Sequence, residues 1–306
     1  MDLQAPPGFS TRAAADADVP AICGLIAACE VANDGASEID PSDVAQSLAL
    51  AGEHGVIVVT DGRGMLAGWA SVTDAVGGRS RAVAEADVHP RARGRGLGAW
   101  LLAWTEARAR DAGSRHVRQT VTDGDAAAQA MFSSHGYQKA HTSWILEMPL
   151  TEARPVVDLP PGITIRALEP GDEPAAYRVI EDAFREWPGR EPATFEQWQA
   201  RVFGHPAFSP ALSRLAFDGP ELVGAALAMD YPGSPDGWVS QLATRATHRN
   251  RGIARALLQA AFAAFHDHGR RLGALSTDSR TGALTLYERL GMRIRRSYTS
   301  WTKDLG

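Results

Sequence analysis

The sequence predicts a mixed α/β fold, with antiparallel and parallel strands in one sheet, built twice along the chain. Three observations predict it. First, RGRGLGAWLL at residues 93–102 returns as RNRGIARALL at 249–258, an offset of 156 residues. Second, other landmarks keep nearly that offset and the same order: FSTRAA at 9–14 matches ITIRAL at 163–168, setting Arg12 against Arg166, and AMFSSHGY at 130–137 matches TLYERLGM at 285–292, setting Phe132 against Tyr287. Third, each half runs from hairpin strands into a strand, helix, strand crossover, an order that closes a parallel pair inside an otherwise antiparallel sheet.

In the first half, VIVV at 56–59 and MLAGWASV at 65–72 flank the turn signal TDGRG and predict a hairpin. AVAEADV at 82–88 alternates as a strand. From Gly96 to Arg110 the apolar residues Leu97, Trp100, Leu101, Trp104 and Ala107 recur at helical spacing, and Gly113 ends the helix. HVRQTV continues as a strand, 126–134 as a helix, and YQKAHTSWILEM as two short strands. The second half repeats this with strands at 215–217, 222–229 and 238–244, a helix over 252–268, a strand at 273–276, a helix at 281–290 and strands to the end. Between the halves, TEARPVVDLPPG at 151–162 carries three prolines and Gly162, which suit an extended connector. The expected domains are therefore 1–150 and 163–306.

Composition narrows the function. The chain has 306 residues, 44% hydrophobic and 22% charged, enough for two ordinary globular cores. A net charge of −5 argues against a nucleic-acid surface, which needs a basic face. The arginines cluster instead at Arg91, Arg93 and Arg95, and at Arg245, Arg249 and Arg251, a pattern suited to a small anionic ligand. No apolar run is long enough for a membrane span, and the start carries no targeting pattern, so a cytoplasmic protein without a membrane partner is expected. Cys23 and Cys29 share a predicted helix without ligand-type neighbours and read as buried small residues; His266 and His268, two apart at a helix end, do not face each other, so no metal is expected. The sequence assigns no oligomeric state.

Three ligands compete for a glycine-rich turn between strand and helix. A nucleoside-triphosphate loop needs Lys followed by Ser or Thr after the glycines, and neither copy has it. A dinucleotide fingerprint matches Gly94, Gly96 and Ala99, with Asp123 downstream, yet the second copy lacks the first glycine and both follow antiparallel strands. The pattern Arg-x-x-Gly-x-Gly/Ala fits both copies, through Arg93, Gly96 and Gly98, and through Arg249, Gly252 and Ala254. A tight turn with solvated arginines is the plain alternative.

At these residues each half resembles the GNAT superfamily of acyl-CoA-dependent N-acyltransferases. The resemblance implies acetyl-CoA as cofactor, held by Val88, Arg93, Gly94, Arg95, Gly96, Gly98 and Ala99 in the first half and by Thr244, Arg249, Asn250, Arg251, Gly252, Ala254 and Arg255 in the second. It implies splayed strands ending near Val88 and Thr244, whose main chain meets the acyl arm. It further implies an acetyl transfer to a primary amine of a small molecule by direct attack, with a tyrosine on the last helix protonating the departing thiolate. Tyr287 occupies that position, Phe132 its counterpart, so the C-terminal half is expected to be catalytic; packing against Leu284 and Leu290 is the alternative role of Tyr287. Glu85, with Asp87, is the base candidate of the first half or a plain strand-face residue; its counterparts Gln241 and Ala243 are not bases. Glu181, Glu186, Asp278 and His205 are base candidates of the second half, and Phe184, Trp187 and Trp198 line an acceptor pocket or pack a core. A sensor that holds acyl-CoA without turnover is the alternative from another class.

Overall fold

The computed structural model describes residues 4–52, 54–73, 81–150, 156–187 and 192–306. Along the chain run β1 (Phe9–Ala13), α1 (Val19–Asp34), α2 (Pro41–Ala51), β2 (Val56–Asp61), β3 (Leu66–Thr73), β4 (Arg81–Val88), α3 (Leu97–Asp111), β5 (His116–Thr122), α4 (Ala126–Ser134) and β6 (Gln138–Pro149). The second series is β7 (Ile163–Ala167), α5 (Glu173–Phe184), α6 (Phe195–Val202), β8 (Arg214–Asp218), β9 (Glu221–Met229), β10 (Asp236–Thr244), α7 (Ile253–Asp267), β11 (Leu272–Asp278), α8 (Leu284–Arg289) and β12 (Arg293–Asp304). The mixed α/β class is as expected. YQKAHTSWILEM forms part of one long strand instead of two, because no glycine or proline interrupts its extended pattern. Helix α2 has no counterpart in the expected element order. Residues 151–155 of the expected connector, and residues 188–190 of FREWPGR, lie outside the described residues.

Two compact units emerge, residues 1–142 with 296–306, and residues 143–295. These differ from the expected boundaries at 150 and 163, which leave each repeat's last strand with its own half. Residues 298–304 of β12 pair antiparallel with β5 in the first unit, from Tyr298 opposite Thr122 to Asp304 opposite His116. Residues 143–149 of β6 pair antiparallel with β11 in the second, from Ser143 opposite Asp278 to Pro149 opposite Leu272. An alternating strand fits the open edge of either sheet equally well, so its pattern does not say which repeat receives it.

In each unit one long helix covers one sheet face. In the first, α3 lays Leu97 and Leu101 on β3, where the absent side chain of Gly68 makes room: a Cβ there would come within 3.1 Å of Leu97 and 3.2 Å of Leu101. In the second, α7 lays Ile253 and Leu257 on β9, where a Cβ at Gly224 would come within 2.9 Å of Leu257. The opposite faces are covered by α1 and α2 in one unit, through Ile22, Leu25, Val44 and Leu48, and by α5 and α6 in the other, through Val179, Ile180 and the fully buried Trp198. The landmark arginines do the same work twice: Arg12 grips both carboxylate oxygens of Asp18 at 2.6 Å, and Arg166 grips Asp172 at 2.6 and 2.9 Å.

The exchanged strand seats Trp301 in the first unit's core, stacked on Phe132 with ring centroids 6.0 Å apart. Trp301→Ala is therefore expected to destabilise residues 1–142 by about 3 kcal/mol or more, although it lies near the C-terminus. Urea denaturation followed by Trp69 and Trp100 fluorescence checks this, and a loss confined to the second unit's transition would contradict it.

Candidate functional site

A cleft opens in each unit where two parallel strands part. In the first, β4 and β5 pair from Arg81 opposite His116 only as far as Ala84 opposite Gln119, while β4 runs on to Val88. In the second, β10 and β11 pair from Asp236 opposite Leu272 to Val239 opposite Leu275, while β10 runs on to Thr244. A bulge at Ser240, between Val239 and Gln241 in their pairing with β9, marks where β10 turns away. The unpaired stretches, 85–88 and 240–244, line clefts of about 660 and 700 Å³ respectively. Both loops and both helix N-termini border these clefts.

The strand-to-helix turn has the same backbone in both copies. Gly96 and Gly252, the residues before α3 and α7, are left-handed at φ 82° and 81°. Two residues earlier, Gly94 has φ 73° and Asn250 has φ 62°, and Asn250 is the one non-glycine with positive φ among the described residues. The second copy thus lacks the glycine but keeps its conformation, since asparagine tolerates the left-handed region better than other side chains. The first helical hydrogen bonds come from Trp100 N–H to Gly96 at 3.1 Å and Ala256 N–H to Gly252 at 3.0 Å. The amides of Leu97, Gly98 and Ala99, and of Ile253, Ala254 and Arg255, stand ahead of them at the positive end of a helix dipole, the arrangement that holds anions.

The arginines of the two loops point to protein partners. Arg93 Nε donates to the Val88 carbonyl at 3.5 Å and Arg249 Nε to the Thr244 carbonyl at 3.3 Å, tying each loop back to the strand it leaves. Arg93 also meets Asn33 at 3.2 Å and Asp125 at 3.6 Å, and Arg249 meets Glu186 at 2.6 Å. Arg95 lies over the Phe9 ring at 4.2 Å, Arg251 bonds Asp218 at 3.0 Å, and Arg255 lies 3.9 Å from Asp158. Only Arg93, Arg249 and Arg255 of the expected arginines line a cleft.

In the C-terminal cleft, Tyr287 is among the lining residues, as is the loop. Its ring is buried in the core with Leu257 and Leu258, and burial pushes the phenol up to about 12, so the hydroxyl stays protonated at neutral pH. One side chain thus packs the core and lines the cleft. Phe184 and Trp187 stack at 4.3 Å and form another wall. Trp198 belongs to the core, its indole N–H donating to Gln241 Oε1 at 3.0 Å. Of the base candidates only Asp278 lines the cleft, held by Arg280 at 2.5 Å. Glu181 is buried and accepts from the Ala193 amide, Glu186 is held below the usual range by Arg249, and His205 accepts from the Ala207 amide away from the cleft.

The N-terminal cleft carries the carboxylates. Strand register confirms the counterparts: Val88 and Thr244 face Gly68 and Gly224, which sets Glu85 against Gln241 and Asp87 against Ala243. Asp87 accepts from Trp69 Nε1 at 3.0 Å, and burial pushes it up to about 6 against that bond. Glu85 is pushed up to about 7, first by loss of water around its carboxyl and then by Asp87 and Asp43. The Glu85 side chain is exposed where it lines the cleft, so the like charges of Asp87 and Asp43 are the cause that the geometry supports. Phe132 lines this cleft as well, packed against Tyr137 and Trp301. Tyr298, from the exchanged strand, lines this cleft, as does Asp34 from α1. No local pattern marks either residue, because both reach the cleft through tertiary pairing.

Residues 23–137 and 174–292 each match the model of the acetyltransferase (GNAT) family. The chain belongs to that family. As a tandem GNAT acyltransferase it is similar along most of its length to curated relatives: 32% identical over 294 residues, 90% of both chains, to the mycothiol acetyltransferase of Salinispora arenicola, and 33% over 225 residues, 71% of this chain and 72% of the relative, to that of Thermobispora bispora. Among solved structures, the GCN5-related N-acetyltransferase of Sphaerobacter thermophilus is 33% identical with a TM-score of 0.84, covering 99% of this chain and 97% of its own. A tandem GNAT protein from the clavulanic acid biosynthesis pathway shares the fold at 20% identity and a TM-score of 0.76, covering 97% and 99%. No helix among the described residues is long and apolar enough to cross a membrane.

Two carboxylates on one strand titrate against each other, so removing one lowers the other. NMR titration of side-chain carboxyls is expected to place Glu85 near 7, and Asp87→Asn to move that midpoint down; an unchanged midpoint would remove Asp87 as a cause.

Proposed function

We propose that the chain is an acetyl-CoA-dependent N-acetyltransferase of a small-molecule amine, with transfer by direct attack in the C-terminal cleft and Tyr287 as the acid. The single observation that carries this reading is that Tyr287 and the Gly252 turn line one cleft, where burial favours the protonated phenol. The residues present fit acetyl-CoA: left-handed Asn250 and Gly252 leave the amides at the start of α7 ahead of the first helical bond, and the parted edge of β10 offers main-chain groups beyond Val239. When bound, acetyl-CoA supplies the acetyl group as a thioester.

The chain's own residues then do three things. The helix N-terminus and loop amides hold the pyrophosphate. The free edge of β10 near Thr244 positions the acyl arm, and an amide there stabilises negative charge on the carbonyl oxygen. Tyr287 gives its proton to the departing sulfur. Gln241 and Ala243 stand where the other half has carboxylates, so the amine must lose its proton to water or through Asp278. The relatives named for mycothiol acetylation support a small-molecule amine, and mycothiol biosynthesis is the specific candidate.

Tyr287→Phe is expected to lower kcat roughly 100-fold while acetyl-CoA still binds, measured by steady-state release of CoA and by calorimetric titration. Unchanged turnover would take Tyr287 out of the reaction. Without a strand base, kcat/KM is expected to keep rising with pH toward the acceptor amine's own pKa; a plateau near pH 7 would point to a protein base in that cleft.

A further inference from the structure

Part of the C-terminal cleft is built by one face of the sheet. On β10, Leu242 packs into the core under α7, so Gln241 and Ala243 turn the other way, where Ala243 joins Trp198 of α6. On β11 and β6, Leu275 and Trp144 pack in the α7 core, so Ser276 and Ser143, next to them along each strand, share the face of Gln241. Phe184 packs on this side too and stacks on Trp187, and Gln241, Ser276, Ser143, Phe184 and Trp187 all line the cleft.

The core fixes how the Gln241 amide is turned. Trp198 is fully buried, and an indole N–H can only donate. It donates to Gln241 Oε1 at 3.0 Å, so a reversed amide would set two donors against each other and leave the buried indole unsatisfied. With Oε1 held by Trp198, the NH2 group turns away from the core, toward the cleft that Gln241 lines. That NH2 and the hydroxyls of Ser143 and Ser276 have no hydrogen bond among the described residues. Asp278, on the same lining, is already bound by Arg280. The groups left to meet a ligand on this face are therefore neutral, and the amide nitrogen among them can only donate.

We infer that Gln241 determines acceptor specificity: its NH2 donates to a neutral oxygen that the acceptor carries close to its amine, and Trp198 is the positioning residue that holds the amide for this contact. The inference rests on the reading that acetyl transfer takes place in the C-terminal cleft. The Phe184 and Trp187 rings meet any apolar group, so they do not fix how an amine is turned. A second, directional contact beside the nitrogen does, and it aims the lone pair at the thioester carbonyl. An acceptor without the oxygen leaves a positioned donor unpaired, which is how a polar site rejects an apolar analogue of the same shape. The cleft thus selects an amine with an ether, hydroxyl or carbonyl oxygen over a plain alkylamine.

The probes are 2-methoxyethylamine and n-butylamine, equal in length and differing by an ether oxygen in place of one methylene. NMR titration of the full chain saturated with CoA, which has no acetyl group to transfer, gives the Kd of each amine. The ratio of the two affinities cancels whatever a substitution does to the shared ammonium and chain. Gln241→Met removes the NH2, and Gln241→Glu keeps an oxygen for Trp198 while putting an acceptor in place of the donor. Each is expected to shift the ratio about fivefold against the ether. Trp198→Phe is expected to shift it about twofold, and not at all once Gln241→Met is present. Thermal melts establish which variants fold, and Gln241→Glu, which keeps the Trp198 bond, carries the test if Gln241→Met does not. A ratio unchanged in the folded Gln241 variants, as a merely structural glutamine would give, would overturn the proposal, and so would a Trp198→Phe shift that persists beside Gln241→Met. A shifted ratio with neither amine acetylated by the unaltered chain and acetyl-CoA would support the donor and instead overturn transfer in this cleft.

Discussion

The left-handed backbone at the strand-to-helix turn is the constraint on which each unit depends. Gly96 and Gly252, with Gly94 and Asn250 before them, reverse the chain so that a helix starts against the end of a strand that has left its neighbour. A Cβ in that region is strained, so the turn selects glycine, or asparagine at one position. The turn works only because the helix then lies close to the sheet, over Gly68 in one unit and Gly224 in the other. The same step leaves a row of amides ahead of the first helical hydrogen bond and opens the parted strands beside them. Cradle and cleft therefore come from one backbone event.

Given that backbone, chemistry is written by few side chains. Tyr287 stands against Phe132, and Glu85 with Asp87 against Gln241 with Ala243, so the halves differ in which proton-carrying groups they hold. Each unit keeps the shared scaffold, down to the bidentate clamps of Arg12 and Arg166, while the residues on the cleft walls diverge. The loop arginines belong to the scaffold as well, since Arg93 and Arg249 bind the carbonyls of Val88 and Thr244.

The sequence made the duplication, the α/β class, the loops and the contrast between Tyr287 and Phe132 legible, because each is a local pattern repeated at a constant offset. Helix α4 matches its expected span of 126–134, and β4 and β10 lie within two residues of theirs. Strand partners were not legible. Residues 143–149 and 296–306 join the unit other than the one their repeat suggests, a choice made by sheet edges far apart in sequence. For the same reason Tyr298 and Asp34 gave no sign that they line the N-terminal cleft. Asn250 was readable only in part: its place in the repeat was visible, its positive φ was not.

If the turn is what builds each cofactor cradle, both units should hold the cofactor. Native mass spectrometry of the full chain with acetyl-CoA tests this most directly. The account predicts two ligands per chain, falling to one in Gly96→Val, one in Gly252→Val and none in the double variant. A single ligand on the unaltered chain, or two that survive either substitution, would contradict it.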